Sequence, residues 1–148
     1  MITPGEQTQL CTFYLAGHHL GIPVARVQEI LRAQPLTRVP RASAVVRGLM
    51  NLRGRIAIVL DLRRRLGFPD REPDAPVFHI VVESGGGVVS LMVDAVGDVL
   101  HVPTDSFEAP PETLQGAARP LIAGAFKLAK GLLLALETEK AVAIHAEA

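Results

Sequence analysis

The sequence has no tryptophan, a single cysteine and few aromatic residues. Only 4 % of its residues are Phe, Trp or Tyr, whereas 49 % are hydrophobic. Without large aromatic anchors, the core has to be built from Val, Leu, Ile and Ala, a set whose β-branched members favour strands. Because Cys11 is alone, the sequence offers neither a disulfide framework nor a cysteine metal cluster, and this fits a reducing cytoplasm.

The chain also lacks a net charge. Fifteen Lys and Arg balance fifteen Asp and Glu over 148 residues. A general nucleic-acid binder needs a basic surface for phosphate contacts, so this balance argues against one. No apolar run approaches the ~20 residues of a membrane-spanning helix, and the first residues lack the basic-then-apolar pattern of a signal peptide. We therefore expect a cytoplasmic protein without direct membrane insertion.

Short apolar runs separated by turn residues recur along the chain. They predict strands at residues 10–15, 48–52, 56–60, 77–82, 88–93, 121–128 and 132–136. Short helices are predicted at 62–66, capped by Asp61, and at 138–145. Residues 67–76 contain three Pro and predict a linker between a first subdomain, about 9–66, and a second, about 77–146. The pattern favours a mainly β fold of two small barrels with short helices.

The second half of the chain repeats the first. Three segments match in the same order: 24–31 with 93–100, 45–66 with 121–142, and the opening hairpins, where Phe13 aligns with Phe78 and Leu15 with Ile80. The repeat predicts two related barrels of about five strands, which are small and pack on each other. Since Asp61 aligns with Glu137, we interpret this acid as a helix cap and not as a catalytic group.

The two copies differ at one turn. Asn51, Arg53 and Gly54 correspond to Lys127, Ala129 and Lys130 in the second copy. The second barrel can therefore form without an Asn-Leu-Arg-Gly turn. These three residues are candidates for function.

No group of residues completes a catalytic or metal site in the sequence. Gly85-Gly86-Gly87 lacks the Lys and the following helix of a phosphate loop and predicts a hairpin tip. None of the five His pairs at helical spacing with a second ligand, and no Ser lies in a nucleophile elbow. Arg63, Arg64 and Arg65 are typical of a solvated helix face. We predict that the protein is not an enzyme and holds no cofactor or metal.

These segments resemble the CheW family of chemotaxis coupling proteins. The resemblance covers about residues 10–142 and rests on FYLAGHHLGIPVARVQEI, VPRASAVVRGLMNLRGRIAIVLDLRRRLG and VSLMVDAVGDVL, in that order and spacing. It implies two five-stranded SH3-like barrels side by side, and a scaffold without catalysis. Two features depart from the family pattern: Leu20 replaces a frequent aromatic residue, and Glu137-Thr138 replaces the usual Asp and Ile.

The resemblance also implies partners and contacts. The cytoplasmic tip of a methyl-accepting chemoreceptor would dock in the groove between the barrels. The regulatory domain of a CheA-type histidine kinase, itself similar to CheW, would pack barrel to barrel with the adaptor in rings, with CheW-like self-association as a further contact. Glu29 and Arg53 match a charged pair beside the groove, an exposed bridge worth ~0–1 kcal/mol. The predicted contact residues are Val27, Glu29, Gly48, Asn51, Arg53 and Gly54.

Two questions remain open at the level of sequence. The output of the pathway could be flagellar swimming, surface motility or another response. SH3-like barrels also host many functions, so the alternative class is a small double-barrel module that binds nucleic acid or a ligand. A nucleic-acid binder would show steeply salt-dependent DNA binding, whereas the adaptor would show none.

Overall fold

Two β-sheets and a few short helical segments make up the fold. The computed structural model describes residues 6–143, and residues 144 and 145 of the predicted second helix lie outside that range. The strands are β1 Gln7–Leu15, β2 His18–Pro23, β3 Val27–Arg32, β4 Val46–Leu52, β5 Arg55–Asp61, β6 Phe78–Ser84, β7 Gly87–Val93, β8 Ala95–Pro103, β9 Phe107–Glu108, β10 Ile122–Leu128 and β11 Gly131–Leu136. The helices are α1 Leu62–Arg65 and α2 Thr138–Val142, with 3-10 turns at Val24–Arg26, Thr104–Ser106 and Gly116–Leu121.

Each sheet takes strands from both halves of the chain. One sheet has the order β8-β1-β2-β11-β10-β9 and the other has the order β3-β6-β7-β5-β4. The mainly β class with two sheets and short helices is therefore confirmed. The predicted subdomains, about 9–66 and 77–146, are not the two sheets, because the β1–β2 hairpin pairs with strands of the second half and the β6–β7 hairpin with strands of the first. Sequence similarity marks the repeat, but hydrogen-bond partners decide which strands form a sheet.

The strand registers match the repeat and correct one part of it. Val46 pairs with Leu60 just as Ile122 pairs with Leu136, and both hairpins shift register two residues after that pair. The alignment of 24–31 with 93–100 continues back through the opening hairpins: Phe13 lies opposite Leu20 and Val96, and Val82 lies opposite Val89 and Val27. Phe13 therefore corresponds to Val82 and Leu15 to Ser84, so the predicted matches of Phe13 with Phe78 and of Leu15 with Ile80 are wrong.

Two edge strands carried weak sequence signals. The strand β8 was expected only as a copy of residues 24–31, and it runs for nine residues along β1. Its half-buried and exposed positions do not alternate regularly, so the period-2 pattern of a strand is faint. Between β8 and β10 lie β9, of only two residues, and two 3-10 turns.

Apolar side chains from both halves fill the main core. Phe13, Leu20, Leu60, Ile80 and Leu91 are all fully buried within one cluster. Burying such a side chain contributes about 1.5–3 kcal/mol relative to leaving it exposed. The junction between the halves is therefore the core itself.

A cluster of charged residues fastens the end of β7 to α1 and to the loop at 67–76. The Asp94 carboxylate accepts hydrogen bonds from Arg63 Nε at 2.9 and 3.0 Å, from Arg63 Nη2 at 2.6 Å and from Arg71 Nη2 at 3.0 Å. It also accepts the backbone N–H of Ala16 at 2.8 Å. Burial raises the pKa of Asp94, but these hydrogen bonds outweigh it and hold the pKa below its ordinary value. We call Arg63, Arg71, Asp61 and Asp94 the Asp94 cluster.

Asp61 begins α1 as predicted. It is buried, its Oδ1 accepts the backbone N–H of Arg64 at 3.4 Å, and Arg71 Nη1 lies 3.5 Å from its Oδ2. The aligned acid Glu137 makes no side-chain cap hydrogen bond to α2. Asp61 is thus a cap that is also part of a charged cluster, which explains why an acid can follow an apolar strand.

The prediction of a solvated arginine face on α1 is wrong. Arg63 binds Asp94, and Arg64 donates to Asp70 at 2.9 and 3.1 Å. Arg65 Nε and Nη2 donate to the carbonyl oxygens of Ala141 and Lys140 at 3.0 and 2.8 Å. The three side chains therefore connect α1 to β7, to the loop and to α2.

Candidate protein-docking site

The turn between β4 and β5 has a backbone that presents Arg53 outward. Leu52 pairs with Arg55, so Arg53 and Gly54 form a two-residue turn, with φ angles of 50° and 89°. Positive φ at both positions is typical of a type I′ hairpin turn. The Asn51 side-chain Oδ1 accepts the backbone N–H of Gly54 at 2.9 Å. Asn51 and Gly54 therefore hold the turn in the conformation that positions Arg53.

Arg53 Nη2 forms an ion pair with Glu29 Oε1 on β3. The Arg53 side chain is 76 % exposed and that of Glu29 is 24 % exposed. β3 and β4 are the first and last strands of the five-stranded sheet. Because Arg53 follows β4 and Glu29 lies on β3, this contact shows that the sheet is rolled so that its two edge strands approach each other. The pair lines a small cavity of about 180 Å³ together with Gln28, Leu52, Arg55, Val81 and Val88.

Gly48 and Val27 have clear roles in the fold. Gly48 has a φ of 151°, and a Cβ there would lie 2.5 Å from the carbonyl oxygen of Thr37. The space lets Thr37 and Leu49 exchange backbone hydrogen bonds of 2.9 and 2.7 Å. Val27 is half-buried and packs against the main core. Their predicted contact with a partner remains a prediction.

The equivalent place in the second sheet is an open groove. Asp98 and Ala129, the counterparts of Glu29 and Arg53, line a groove of about 920 Å³. Ala129 and Lys130 do not have positive φ angles, so the second turn does not need an Asn-Leu-Arg-Gly sequence. Within residues 6–143, Asp98 forms no ion pair. The charged pair is therefore a property of the first copy and is not required by the repeated fold.

An apolar groove that the sequence analysis missed lies beside α2. It has a volume of about 590 Å³ and is lined mainly by Val39, Val46, Leu49, Ile58, Val89 and Val142. A signal was present in the sequence: β5 reads RIAIVLD, in which both faces of the strand are apolar. When a strand is apolar on both faces, each face is expected either to be buried in the protein or to bind a partner.

Two exposed apolar residues lie at corresponding places on the edge strands β3 and β8. Ile30 is 41 % exposed and Val99 is 53 % exposed, and the repeat aligns one with the other. β3 and β8 are each the first strand in the order of their sheet. Their matching positions make Ile30 and Val99 candidates for contacts with another protein.

The surroundings of two buried titratable groups shift their pKa values. Burial and the charge of Arg71 lower the pKa of His79, whose Nδ1 lies 2.9 Å from Ser90 Oγ. Burial raises the pKa of the Cys11 thiol, which makes it less reactive. Across the described chain, no cluster of His, Cys, Asp and Glu is arranged to hold a metal ion. None of the helices within residues 6–143 has the length and apolar character needed to cross a membrane.

Comparison with known proteins identifies relatives that match most of the chain. The family model described as "CheW-like domain" matches residues 9–144. A probable chemotaxis protein CheW of Rhizobium etli is 30 % identical over 131 residues, covering 88 % of this chain and 84 % of its own. The Protein PilI of Pseudomonas aeruginosa is 31 % identical over 114 residues, covering 77 % and 64 %. The crystal structure of the scaffolding protein TtCheW from Thermoanaerobacter tengcongensis superposes with a TM-score of 0.82 at 27 % identity, covering 95 % and 94 %.

Proposed function

Since the chain belongs to the CheW-like domain family, and is therefore a non-catalytic chemotaxis adaptor, we propose that it couples chemoreceptors to a CheA-type histidine kinase through two separate protein surfaces. One surface binds the cytoplasmic tip of a methyl-accepting receptor. The other packs against the CheW-like regulatory domain of the kinase, and copies of the adaptor associate with each other in rings. The protein is held at membrane receptor arrays by these partners.

The observation that carries the receptor surface is the Arg53–Glu29 pair. The pair joins two elements of the rolled sheet but is mostly exposed at Arg53, so it adds only ~0–1 kcal/mol to stability. The aligned Ala129 shows that the fold forms without it. A charged pair with little value for folding is suited to recognition, and the planar Arg fork can bind a carboxylate or a backbone carbonyl of a partner.

Apolar contacts supply the rest of the receptor surface. Ile30 on β3 lies on the same strand as Glu29, and Val99 is its counterpart on β8. A receptor tip that is a helical hairpin presents apolar residues at helical spacing, and such a segment docks in a groove with apolar sides. Val27, Gly48, Asn51 and Gly54 support this surface by fixing β3, β4 and the turn.

The apolar groove beside α2 is the surface we assign to the barrel of a CheW-like partner. Its lining comes from β4, β5, β7, α2 and the segment before β4 that includes Val39, so it spans the five-stranded sheet and the end of the chain's second half. Its apolar character matches the fully desolvated centre of a specific protein interface. Arg53 does not line this groove, so we expect the receptor and the kinase to bind at the same time.

Replacing Arg53 with Ala tests the receptor surface. We expect roughly 5–30-fold weaker binding to receptor tips, because losing an interface arginine typically costs about 1–2 kcal/mol. The measurement is co-sedimentation with receptor-containing membranes, and Arg38→Ala, at another exposed arginine, is the matched control. Unchanged sedimentation of the Arg53→Ala protein, with an intact circular dichroism spectrum, would contradict the assignment.

A charge-swapped pair separates orientation from direct contact. Glu29→Arg combined with Arg53→Glu preserves an ion pair across the rolled sheet. If the pair only shapes the surface, this double variant recovers receptor binding relative to Arg53→Glu alone. If the Arg53 guanidinium contacts the receptor, binding stays weak.

Separate pull-downs test the adaptor function as a whole. The baits are a receptor cytoplasmic tip and the regulatory domain of the cognate kinase. We expect binding to each, and Arg53→Ala should weaken the first more than the second. Binding to neither bait, or DNA binding with a steep salt dependence, would favour the alternative of a nucleic-acid module.

A further inference from the structure

The strand pairs that complete each sheet join the two halves of the chain. Among the named strands of residues 6–143, the pairs formed within one half are the hairpins β1–β2, β4–β5, β6–β7 and β10–β11 and the short β9–β10 pair. The pairs β1–β8, β3–β6, β5–β7 and β2–β11 all cross between halves. An isolated two-stranded hairpin is marginally stable at best in water. Within the described residues, the first half therefore contains hairpins alone, and the second half contains hairpins extended by the two residues of β9.

The exchange of hairpins is reciprocal and follows the repeat. β2 lies parallel to β11 with Leu20 opposite Leu134. β7 lies parallel to β5 with Val89 opposite Ile58. The repeat aligns Leu20 with Val89 and Leu134 with Ile58, so the two parallel pairs are one contact made twice. This is the geometry of a two-fold dimer in which each subunit gives a hairpin to the other.

The junction between the halves resembles an obligate interface. Its centre is the fully buried main core, to which Phe13 and Leu20 contribute from the first half and Ile80 and Leu91 from the second. Buried Thr12 donates from its Oγ1 to the Asp98 carbonyl oxygen at 2.6 Å across the junction. Apolar interfaces of this kind belong to permanent assemblies.

The covalent link between the halves is an exposed loop. Glu72, Pro73 and Asp74 are all exposed. The nearest anchor is Arg71, whose side chain lies in the Asp94 cluster. The three exposed residues beyond it make no ion pair within residues 6–143. Cutting the chain here would leave every crossing strand pair in place.

We propose that the two halves of this chain are mutual binding partners, each supplying the hairpin that the sheet of the other half lacks, and that they assemble without the peptide link at 72–74. Where the sheet of one half is incomplete, the strands that complete it therefore come from the other half of the same chain, and not from a separate protein. A half that lost its counterpart would expose the whole core. This assembly of the two halves does not depend on which partners the adaptor binds.

A cleavable chain tests this directly. A protease site is inserted between Glu72 and Asp74, the folded full-length protein is cut, and the products are passed through a sizing column in native buffer. We expect both fragments to elute together at the volume of the uncut protein. After separation in urea and dilution, each fragment alone should show no cooperative thermal melt, and mixing should restore one. Separate elution in native buffer, or a cooperative melt of either fragment alone, would overturn the proposal.

A cross-link identifies the exchanged pairing. Ile58→Cys and Val89→Cys are combined with Cys11→Ala in the cleavable chain, because Ile58 and Val89 face each other on neighbouring strands. After oxidation and cutting, we expect the two fragments to run as one band on a non-reducing gel. If each half formed its own sheet, Ile58 would lie beside Leu20 of the same fragment. The fragments would then stay unlinked, which would refute the exchange.

Discussion

Replacing Asp94 with Asn should lower the free energy of unfolding, and the burial and hydrogen bonds of Asp94 indicate by how much. Asp94 receives four side-chain hydrogen bonds from two arginines and one from the Ala16 backbone. The side chains of Arg63 and Asp94 are 17 % and 21 % exposed. Breaking a fully buried pair costs about 3–5 kcal/mol, and an exposed pair contributes ~0–1 kcal/mol. For a pair that is about four-fifths buried, we expect a loss of about 2–3 kcal/mol.

The assay is thermal unfolding followed by circular dichroism at neutral pH. For a domain of this size, each kcal/mol lowers the melting temperature by about 2–4 °C, so the variant should melt roughly 4–12 °C lower than the parent. Asp74→Asn is the matched control, because Asp74 is exposed and makes no ion pair in the described part of the chain. The control should melt with the parent. A melting temperature of the Asp94 variant within about 1 °C of the parent would refute this view of the cluster.

The pH dependence gives a second check on the same residue. The folded-state pKa of Asp94 lies below its ordinary value of 3.8, so the folded state binds its proton less readily than the unfolded state. The stabilisation is then fully present above that value and is lost as the pH falls through the folded-state pKa. The difference between the parent and Asp94→Asn should therefore shrink as the pH is lowered below about 4. A difference that stays constant down to pH 3 would mean that the carboxylate charge is not its source.

Three further predictions concern the fold and the docking turn. Gly48→Ala should lower the free energy of unfolding in urea by about 2 kcal/mol or more, because the added Cβ would meet a backbone oxygen. Gly86→Ala, which has open space around it, should lower that free energy by only about 1 kcal/mol. Equal losses in the two variants would refute the steric argument. Asn51→Ala should leave the melting temperature within a few degrees yet weaken receptor binding by releasing Arg53, and undiminished binding would show that the Asn51–Gly54 hydrogen bond is dispensable. Burial and Arg71 lower the folded-state pKa of His79 below 6.5, so the free energy of unfolding should decline as the pH falls below that value. His79→Gln should make this decline less steep. An unchanged slope would mean that other groups cause the decline.

The strands and the repeat could be predicted because they depend on local patterns. Apolar alternation, turn glycines and an acid before α1 predicted β1, β4, β5 and α1 close to their observed bounds. The aligned segments predicted two related units. These signals lie within a few residues of one another, so the sequence carries them directly.

Which strands pair across the chain could not be read from the same patterns. Hairpins β1–β2 and β6–β7 have apolar faces that fit either sheet, because the two halves are related. Only the long-range pairings of β5 with β7 and of β2 with β11 decide between a contiguous and an exchanged arrangement. The charged contacts of Arg63 and Arg65 were missed for the same reason, since their partners lie far away along the chain.

The residues of the proposed docking surfaces also differ in whether the sequence could predict them. The resemblance to CheW proteins indicated Glu29 and Arg53, and the structure brings them into contact. The apolar groove beside α2 was not foreseen, because its walls come from both halves. A surface assembled from distant segments has no single motif.

The backbone conformation of Arg53 lowers the stability of the turn. A side chain other than Gly, Asn or Asp at a φ of 50° strains the turn by roughly 1 kcal/mol, and the exposed bridge to Glu29 returns no more than that. The turn is therefore less stable with Arg than it would be with Asn, which tolerates this conformation. On the proposal that Arg53 contacts the receptor, the cost of Arg53 to the turn is the least free energy that this contact has to contribute to binding.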